Sequence, residues 1–281
     1  MQLAFTIAAA VLVGAVLVAV FDPWRWGEGP EAVALGNRLF GTLQVGAICG
    51  TVIGLQYGVA GMDSLTRVGK RLNLQRKVQH VASGVIILFL FHVLPLQTSQ
   101  LALGASVVAF ALVQLARHLS TEMDEQFLAL FGPMLKEEER QGIRPPAAVH
   151  FLTGCFLCSV TFPRQLAVLG MMTSTFADPL AAVGGLCLGG PQLFGRSNKT
   201  LSGSATCCLA GGALAAAALD AVAACLACGA AAALSEFSGG IWWYLDDNLT
   251  ASFGTGLVLS GAGAALASVG FESPAFNVIL R

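Results

Sequence analysis

The chain has 281 residues, of which 56% are hydrophobic and only 11% are charged, and its net charge is −1. Soluble domains usually contain roughly 25% charged residues, so this composition excludes a chain that faces water on all sides and predicts lipid as the solvent for most of it. The near-zero net charge excludes a broad basic surface, and nucleic acid is therefore not an expected partner.

Apolar stretches that approach the length of a membrane helix, about 20 residues, recur along the chain. They lie at 3–21, 40–60, 81–96, 101–116, 147–162, 166–188, 205–219, 221–235 and 251–269. The sequence therefore predicts an all-α, polytopic transmembrane bundle of about eight to nine spans. Within it, 1–70 are predicted to form N-terminal membrane helices and 71–281 a second domain, which contains the polar clusters described below.

Two of these assignments involve a choice. No Lys or Arg precedes Arg25, so 3–21 lacks the basic start of a cleaved signal peptide and is predicted to be a retained helix. A single helix over 205–235 would be about 45 Å long, longer than the bilayer core. Asp220 is therefore assigned to a turn between two spans.

The basic residues are distributed unequally between the two sides of such a bundle. If the spans alternate, one side receives the N-terminus and the loops 61–80, 117–146, 189–204 and 236–250. This side holds eleven of the fifteen Lys and Arg residues. An excess of basic residues marks the cytoplasmic side. The polar clusters described next lie on that same side.

The first cluster stands at the start of the span 81–96. Arg76 and Lys77 are candidates to hold phosphate oxygens, helped by the N-terminal amides of the helix, and anchoring at the membrane surface is the alternative. His80, one turn further on, either orients a phosphate or packs against a neighbour.

The second cluster is Asp178 followed by Pro179 inside an apolar run. An Asp at membrane depth costs about 2.5–3.5 kcal/mol, so it is expected to face a cavity, a cation or a partner. Pro179 disfavours helix at Asp178, which predicts a discontinuous helix that lines a cavity. Asp178 is therefore predicted to bind Mg²⁺, with a proton relay or a satisfied buried carboxyl as alternatives.

The third cluster is a glycine-rich stretch that is predicted to cradle a triphosphate, because glycines allow close backbone approach and a helix start favours anions. Its candidate residues are Gly185, Arg196, Asn198, Lys199 and Ser204. The spacing differs from that of a P-loop.

The fourth cluster is Asp246, Asp247 and Asn248 at the start of the last span. It offers oxygen ligands for a second metal position or a base for a hydroxyl group, and helix capping is the alternative. The charged run 136–140 is predicted to be a solvated loop face. The CxxC pairs at 155/158 and 225/228 are predicted to pack helices rather than bind zinc.

Carboxylates, cations and amide donors on one membrane face are the set that phosphoryl transfer requires. A site at the lipid boundary makes a lipid the expected acceptor.

The chain resembles the CTP-dependent lipid alcohol kinases, namely dolichol kinase, phytol/farnesol kinase and the yeast-type diacylglycerol kinase. The resemblance runs from Gln75 to Phe253. It depends on Arg-Lys-x-x-His-x-x-x-Gly at 76–84, Phe-Leu-Thr-Gly at 151–154, Asp-x-x-Ala-Ala-x-x-Gly at 178–185, Asn-Lys-Thr-Leu-Ser-Gly-Ser at 198–204, Glu236, and Asp-Asp-Asn-Leu-Thr at 246–250.

The resemblance implies that CTP with Mg²⁺ phosphorylates a membrane lipid alcohol. It implies that Asp178 binds metal, that phosphates are held by Arg76, Lys77 and Lys199, and that Asp246, Asp247 and Asn248 complete the site.

The chain departs from the family pattern at three positions, and one of these departures bears on which lipid is the acceptor. Ala177 stands where many members have Gly, and Ser252 lies where a Pro is usual. Ser202 replaces a Glu of dolichol kinases and CDP-diacylglycerol synthases, which favours diacylglycerol or phytol as acceptor. The compact length of the chain favours diacylglycerol as acceptor. The protein is expected in the endoplasmic reticulum or nuclear envelope with the site facing the cytosol, or alternatively in a plastid membrane.

Three other functions remain open. They are kinases acting on polyprenol, phytol or farnesol, a cytidylyltransferase that makes CDP-diacylglycerol, and an ion-coupled transporter. A transporter would have paired broken helices in two halves, whereas one broken helix and no inverted repeat are visible.

Overall fold

The computed structural model describes residues 74–132, 135–193, 199–216, 222–238 and 246–268. Regular structure in these ranges is helical, apart from one isolated antiparallel bridge between Gln192 and Thr200. The all-α class is thus confirmed for the described residues. The predicted spans at 3–21 and 40–60 and the domain boundary at residue 70 lie outside them.

The helices are numbered in chain order through the described ranges. They are α1 Leu74–Val93, α2 Leu96–Leu119, α3 Thr121–Phe131, α4 Glu137–Arg140, α5 Ala147–Thr161, α6 Arg164–Leu188, α7 Leu201–Ala216 and α8 Val222–Ser238. The last helix, α9, runs without interruption through Asp247–Leu249, Thr250–Gly254 and Thr255–Ser268. Seven of the predicted spans overlap α1, α2 and α5 to α9. By length and composition, α2 and α6 can cross a membrane, and α5 and α7 are shorter apolar helices.

α1 and α6 run antiparallel. At one end, His80 of α1 bonds to the carbonyl of Ser174, and at the other end Arg164 of α6 donates to the carbonyls that close α1. Gly84 lies against the side chain of Thr175, and a Cβ at residue 84 would be 2.8 Å from the Thr175 Cβ. The missing side chain at Gly84 therefore sets how closely these two helices approach.

The sequence predicts a break in the helix at Asp178. Instead, α6 contains a π-helical segment, Thr173–Ala177, directly before this residue. Asp178 has helical dihedral angles, φ −63° and ψ −51°, and the α-helix resumes there. The prediction of a discontinuous helix at Asp178 is therefore wrong. Pro179 fits because it lies in the first turn of the resumed α-helix, where its missing N–H removes no α-helical hydrogen bond.

α9 contains a second π-helical segment, Thr250–Gly254, next to the one in α6. The two helices are joined where the Ser174 hydroxyl donates to the carbonyl of Asn248 at 3.1 Å. α5 packs closely on α9 because Gly154 meets the side chain of Ser252. Both irregular segments thus lie at one level of the bundle.

α7 and α8 pack against each other through small residues. A Cβ at Gly211 would lie 2.7 Å from that of Ala232, and a Cβ at Gly229 would lie 2.5 Å from the Cys208 carbonyl. A straight helix would keep residues 211 and 229 about 27 Å apart. The predicted division of 205–235 into two helices is therefore confirmed, while Asp220 lies outside the described residues.

The buried core contains the first CxxC pair. Cys155 and Cys158 pack among apolar side chains that include Phe91, Leu166 and Met171. This is the packing role that the sequence predicts for them. The side chain of Cys225 lies outside the described part of the structure.

Candidate phosphate and metal site

Charged side chains from separate stretches of the chain meet at the end of the bundle where α1 and α9 begin. Three ion pairs connect them: Arg76 with Glu139, Lys136 with Asp246, and Lys199 with Asp247. The charges of Lys77 and Asp178 also interact. We call this group the polar end, and its members are Arg76, Lys77, His80, Lys136, Glu139, Asp178, Lys199, Asp246, Asp247 and Asn248.

The first turn of α1 supplies two cations to the polar end. Burial lowers the pKa of the Lys77 ammonium, the nearby Asp178 carboxylate partly opposes this, and Arg76 and Lys136 lower the pKa further. Arg76 Nη2 lies 3.7 Å from Glu139 Oε1. Arg76, Lys77 and Lys136 therefore lie close enough for their charges to interact, and Arg76 and Lys136 each pair with a carboxylate.

His80 is engaged with the neighbouring helices. Its Nε2 donates to the carbonyl of Ser174 at 2.9 Å, and its ring centroid lies 4.5 Å from that of Phe151. Burial lowers the pKa of His80, and the Ser174 carbonyl partly opposes that shift. Of the two roles predicted for His80, packing is the one that the structure displays.

Asp246 caps α9 and is held in place by Asn248. Asp246 Oδ1 accepts from the backbone N–H of Asn248 at 3.1 Å and from its side-chain Nδ2 at 2.6 Å. Asp246 Oδ2 lies 3.7 Å from Lys136 Nζ. Burial raises the pKa of Asp246, but Lys136, the Asn248 N–H, His150 and Arg76 together bring it below its usual value. Capping is thus confirmed for Asp246, and Asn248 directs its amide nitrogen to that carboxylate.

Lys199 is buried and bonded to the second aspartate. Its side chain is 4% exposed, and Nζ donates to Asp247 Oδ2 at 3.0 Å, while the Asp247 side chain is 35% exposed. The backbone carbonyl of Lys199 accepts from the N–H of Leu193 at 2.9 Å. In this structure both the backbone and the side chain of Lys199 are therefore hydrogen-bonded.

Two further candidates of the glycine-rich stretch, Gly185 and Ser204, lie in the described part of the structure. A Cβ at Gly185 would lie 2.8 Å from Thr200 Oγ1, so the group that approaches Gly185 is this side chain rather than a ligand. Ser204 lies in the first turn of α7, where its N–H bonds to the Thr200 carbonyl at 3.1 Å. Arg196 and Asn198 lie outside the described residues.

The run 136–140 differs from its prediction as a solvated loop face. Glu139 is only 3% exposed, and it accepts the backbone N–H of Lys136 at 3.0 Å through Oε2. Arg117, itself buried, donates to the Glu139 carbonyl at 3.3 Å. The prediction is therefore wrong for Glu139, because long-range partners bury it. Lys136 is exposed as predicted, and its ammonium lies 3.7 Å from Asp246 Oδ2.

The donor set fits Mg²⁺ that is bound together with phosphates. Among the described residues, no three or more His, Cys, Asp and Glu side chains are grouped to hold a metal ion. Mg²⁺ does not require such a group, because it usually takes one or two carboxylates and completes its shell with phosphates and water. At the polar end, the candidate carboxylates for such a site are Asp178, Asp246 and Asp247, of which the last two pair with Lys136 and Lys199.

Comparison of the chain with protein-family models, curated proteins and solved structures gives no match. The resemblance to lipid alcohol kinases therefore depends on the motifs alone. Its implications for activity remain predictions.

Proposed function

We propose that this protein is a membrane-embedded kinase that transfers the γ-phosphoryl group of CTP to a lipid alcohol, with diacylglycerol as acceptor and phosphatidate as product. The observation that carries this proposal is the polar end, where cations and carboxylates from distant stretches meet beside an apolar bundle. Phosphoryl transfer needs cations that offset developing charge, carboxylates that hold metal, and a base for the acceptor.

The residues of the polar end divide between two tasks. Arg76, Lys77 and Lys199 would bind phosphate oxygens, because charge-assisted hydrogen bonds to phosphate are strong. Asp178 and Asp246 would hold Mg²⁺, which when bound neutralises charge on the phosphate oxygens. Asn248 would keep Asp246 oriented through its two hydrogen bonds to Oδ1.

Asp247 is the proposed base. The acceptor hydroxyl oxygen bonds to the γ-phosphorus, the bond from that phosphorus to the β-phosphate oxygen breaks, and CDP leaves. The hydroxyl proton passes to the Asp247 carboxylate. Lys199 now bonds to that carboxylate at 3.0 Å, so its move towards the phosphates would free Asp247 for the proton.

Exposed apolar surface supports a membrane location. Only 11% of the most apolar window of α2 is buried within the protein, and Leu101 and Leu119 are 76% and 78% exposed. Lipid would cover this surface favourably. The proposed bundle has about eight to nine spans and lies in the endoplasmic reticulum or nuclear envelope, or alternatively in a plastid membrane, with the polar end in the cytosol.

Transfer of a labelled phosphate tests the proposal. Purified protein in mixed micelles receives CTP or ATP labelled at the γ-phosphate, with diacylglycerol, dolichol, phytol and farnesol offered separately. We expect label from CTP in phosphatidate. Asp178→Asn should abolish transfer while the protein elutes and unfolds like wild type, because the amide is a poor ligand for Mg²⁺.

Other outcomes point to the alternatives. Label in another lipid would change the acceptor, and label released as pyrophosphate in the presence of phosphatidate would indicate a cytidylyltransferase. Absence of label in any product would contradict the kinase proposal. Undiminished transfer by Asp178→Asn would remove the metal role of Asp178.

A further inference from the structure

A short segment outside the four predicted polar clusters lies across the polar end. This bridging segment is 136–140, and it is fixed from two sides by Glu139, whose side chain pairs with Arg76 and whose carbonyl accepts from Arg117. Glu139 also accepts the backbone N–H of Lys136. The backbone of Lys136 is therefore anchored, while its side chain remains 46% exposed.

The Lys136 ammonium faces one particular oxygen atom of Asp246. Asp246 Oδ1 already accepts two hydrogen bonds from Asn248, whereas Oδ2 lies 3.7 Å from Lys136 Nζ. A divalent cation that binds Asp246 would find Oδ2 as the more available oxygen. Lys136 and a cation would thus compete for the same atom.

Such a competition favours the cation once it arrives with a nucleotide. Exposed ion pairs are weak, and the pair of Lys136 with Asp246 is both long and nearly half exposed on the lysine side. The displaced ammonium stays near Lys77. Burial is the chief cause of the lowered pKa of Lys77, and the charge of Lys136 lowers that pKa further. An anion placed there would relieve the repulsion between the two ammonium groups.

We propose that Lys136 is a further positioning residue of this site: its ammonium neutralises Asp246 in the ligand-free protein and binds phosphate oxygens of the nucleotide when a divalent cation takes that carboxylate. The proposal depends on the proposed function only for the identity of the nucleotide. Through Lys136, the bridging segment would couple the binding of the metal to the binding of the nucleotide.

Two binding titrations on the full chain in detergent micelles test it. The first uses Mn²⁺ alone, and the second uses CTP at saturating Mn²⁺. The variants are Lys136→Gln, the charge-preserving Lys136→Arg, and Arg144→Gln as the matched control. Arg144 carries the same charge close by in the chain but pairs with Glu138, at 3.3 Å.

Lys136→Gln should change the two affinities in opposite directions. It should bind Mn²⁺ about two- to fivefold more tightly, because the competing ion pair is lost, and CTP about tenfold more weakly, because a charge-assisted contact is lost. Lys136→Arg should restore CTP binding, and Arg144→Gln should change neither affinity by more than about twofold.

The contrary outcomes are distinct. Weaker binding of both ligands by Lys136→Gln would indicate a purely structural role, and affinities equal to those of Arg144→Gln would indicate none, so either result overturns the proposal. If the opposite shifts appear but wild type labels no lipid, the kinase function fails while the role of Lys136 stands. If lipid is labelled but the shifts are missing, the role of Lys136 fails while the kinase function stands.

Discussion

Replacing Gly84 with alanine should force α1 away from α6. The new Cβ would lie 2.8 Å from the Thr175 Cβ and closer still to the other side-chain atoms of that residue, which is fully buried. Overpacking costs about 1–3 kcal/mol, whereas glycine to alanine within a helix gains about 1 kcal/mol. The difference is a net loss of about 0–2 kcal/mol.

A matched control separates packing from helix propensity. Gly261 is also helical, and a Cβ there would meet nothing within 4 Å, so Gly261→Ala should stabilise by about 1 kcal/mol. The two variants should therefore differ by about 1–3 kcal/mol, which is about 2–12 °C in Tm at 2–4 °C per kcal/mol. Thermal unfolding in detergent, followed by circular dichroism, measures this difference. Equal Tm values would refute the close contact between α1 and α6.

The same displacement should affect activity. Arg76 and Lys77 lie two turns before Gly84 on α1, so a shift of that helix moves both cations relative to Asp178. Small misplacements of positioning groups cost up to about 10²-fold in rate. Phosphate transfer by Gly84→Ala should accordingly fall by about ten- to a hundredfold, while Gly261→Ala retains wild-type turnover.

Two further predictions concern groups that are partly buried at the polar end. His80→Phe should lower the free energy of unfolding by about 1–3 kcal/mol, because the Ser174 carbonyl loses its donor, whereas His80→Gln should recover part of this loss; equal thermal stability of the two variants would contradict it. The pKa of Asp246 is lowered in the folded protein, although burial alone would raise it, so its carboxylate stabilises the fold above its unfolded pKa of about 3.9 and loses this effect as the pH falls through the folded pKa. The stability gap between wild type and Asp246→Asn, measured by thermal unfolding, should therefore shrink as the pH falls below about 4; a gap that does not change with pH would argue against the ion pair.

Hydropathy predicted where the long apolar helices lie, but it did not predict α3, which lies in the predicted loop 117–146, or the internal geometry of the helices. The stretches 147–162 and 166–188 overlap α5 and α6 closely, because burial of apolar side chains dominates their placement. The local rule for the residue before proline failed at Asp178. A π-helical turn restarts the helix there, and this depends on contacts that α6 makes with α1 and α9.

Both π-helical segments carry a similar sequence. Thr173–Ala177 reads Thr-Ser-Thr-Phe-Ala and Thr250–Gly254 reads Thr-Ala-Ser-Phe-Gly. Hydroxyl groups in each bond to carbonyls of the preceding turn, as Thr175 does to Met171 at 2.7 Å. Clusters of Ser and Thr inside apolar spans were therefore the signal for these segments, and π-helical turns are frequent at functional sites.

The partners within the polar end were less predictable than its members. The motifs indicated Lys199, Asp246 and Asp247 as candidate site residues, but they did not predict that Lys199 would bond to Asp247. The burial of Glu139 depends on Arg76 and Arg117, which lie 63 and 22 residues away in sequence. Such pairs follow from the packing of helices and have no local pattern.

The central claim is that the polar end gathers residues from distant stretches at a single membrane face. Single-cysteine variants at positions 136, 247 and 161, made after replacement of the native cysteines, test it in sealed vesicles of known orientation with a membrane-impermeant maleimide. Lys136 and Thr161 are exposed, the Asp247 side chain is 35% exposed, and Thr161 ends α5 away from the polar end. We expect cysteines at 136 and 247 to react from the same side and the cysteine at 161 to react from the opposite side. Reaction of 136 and 247 from opposite sides would contradict a shared site for phosphate and metal.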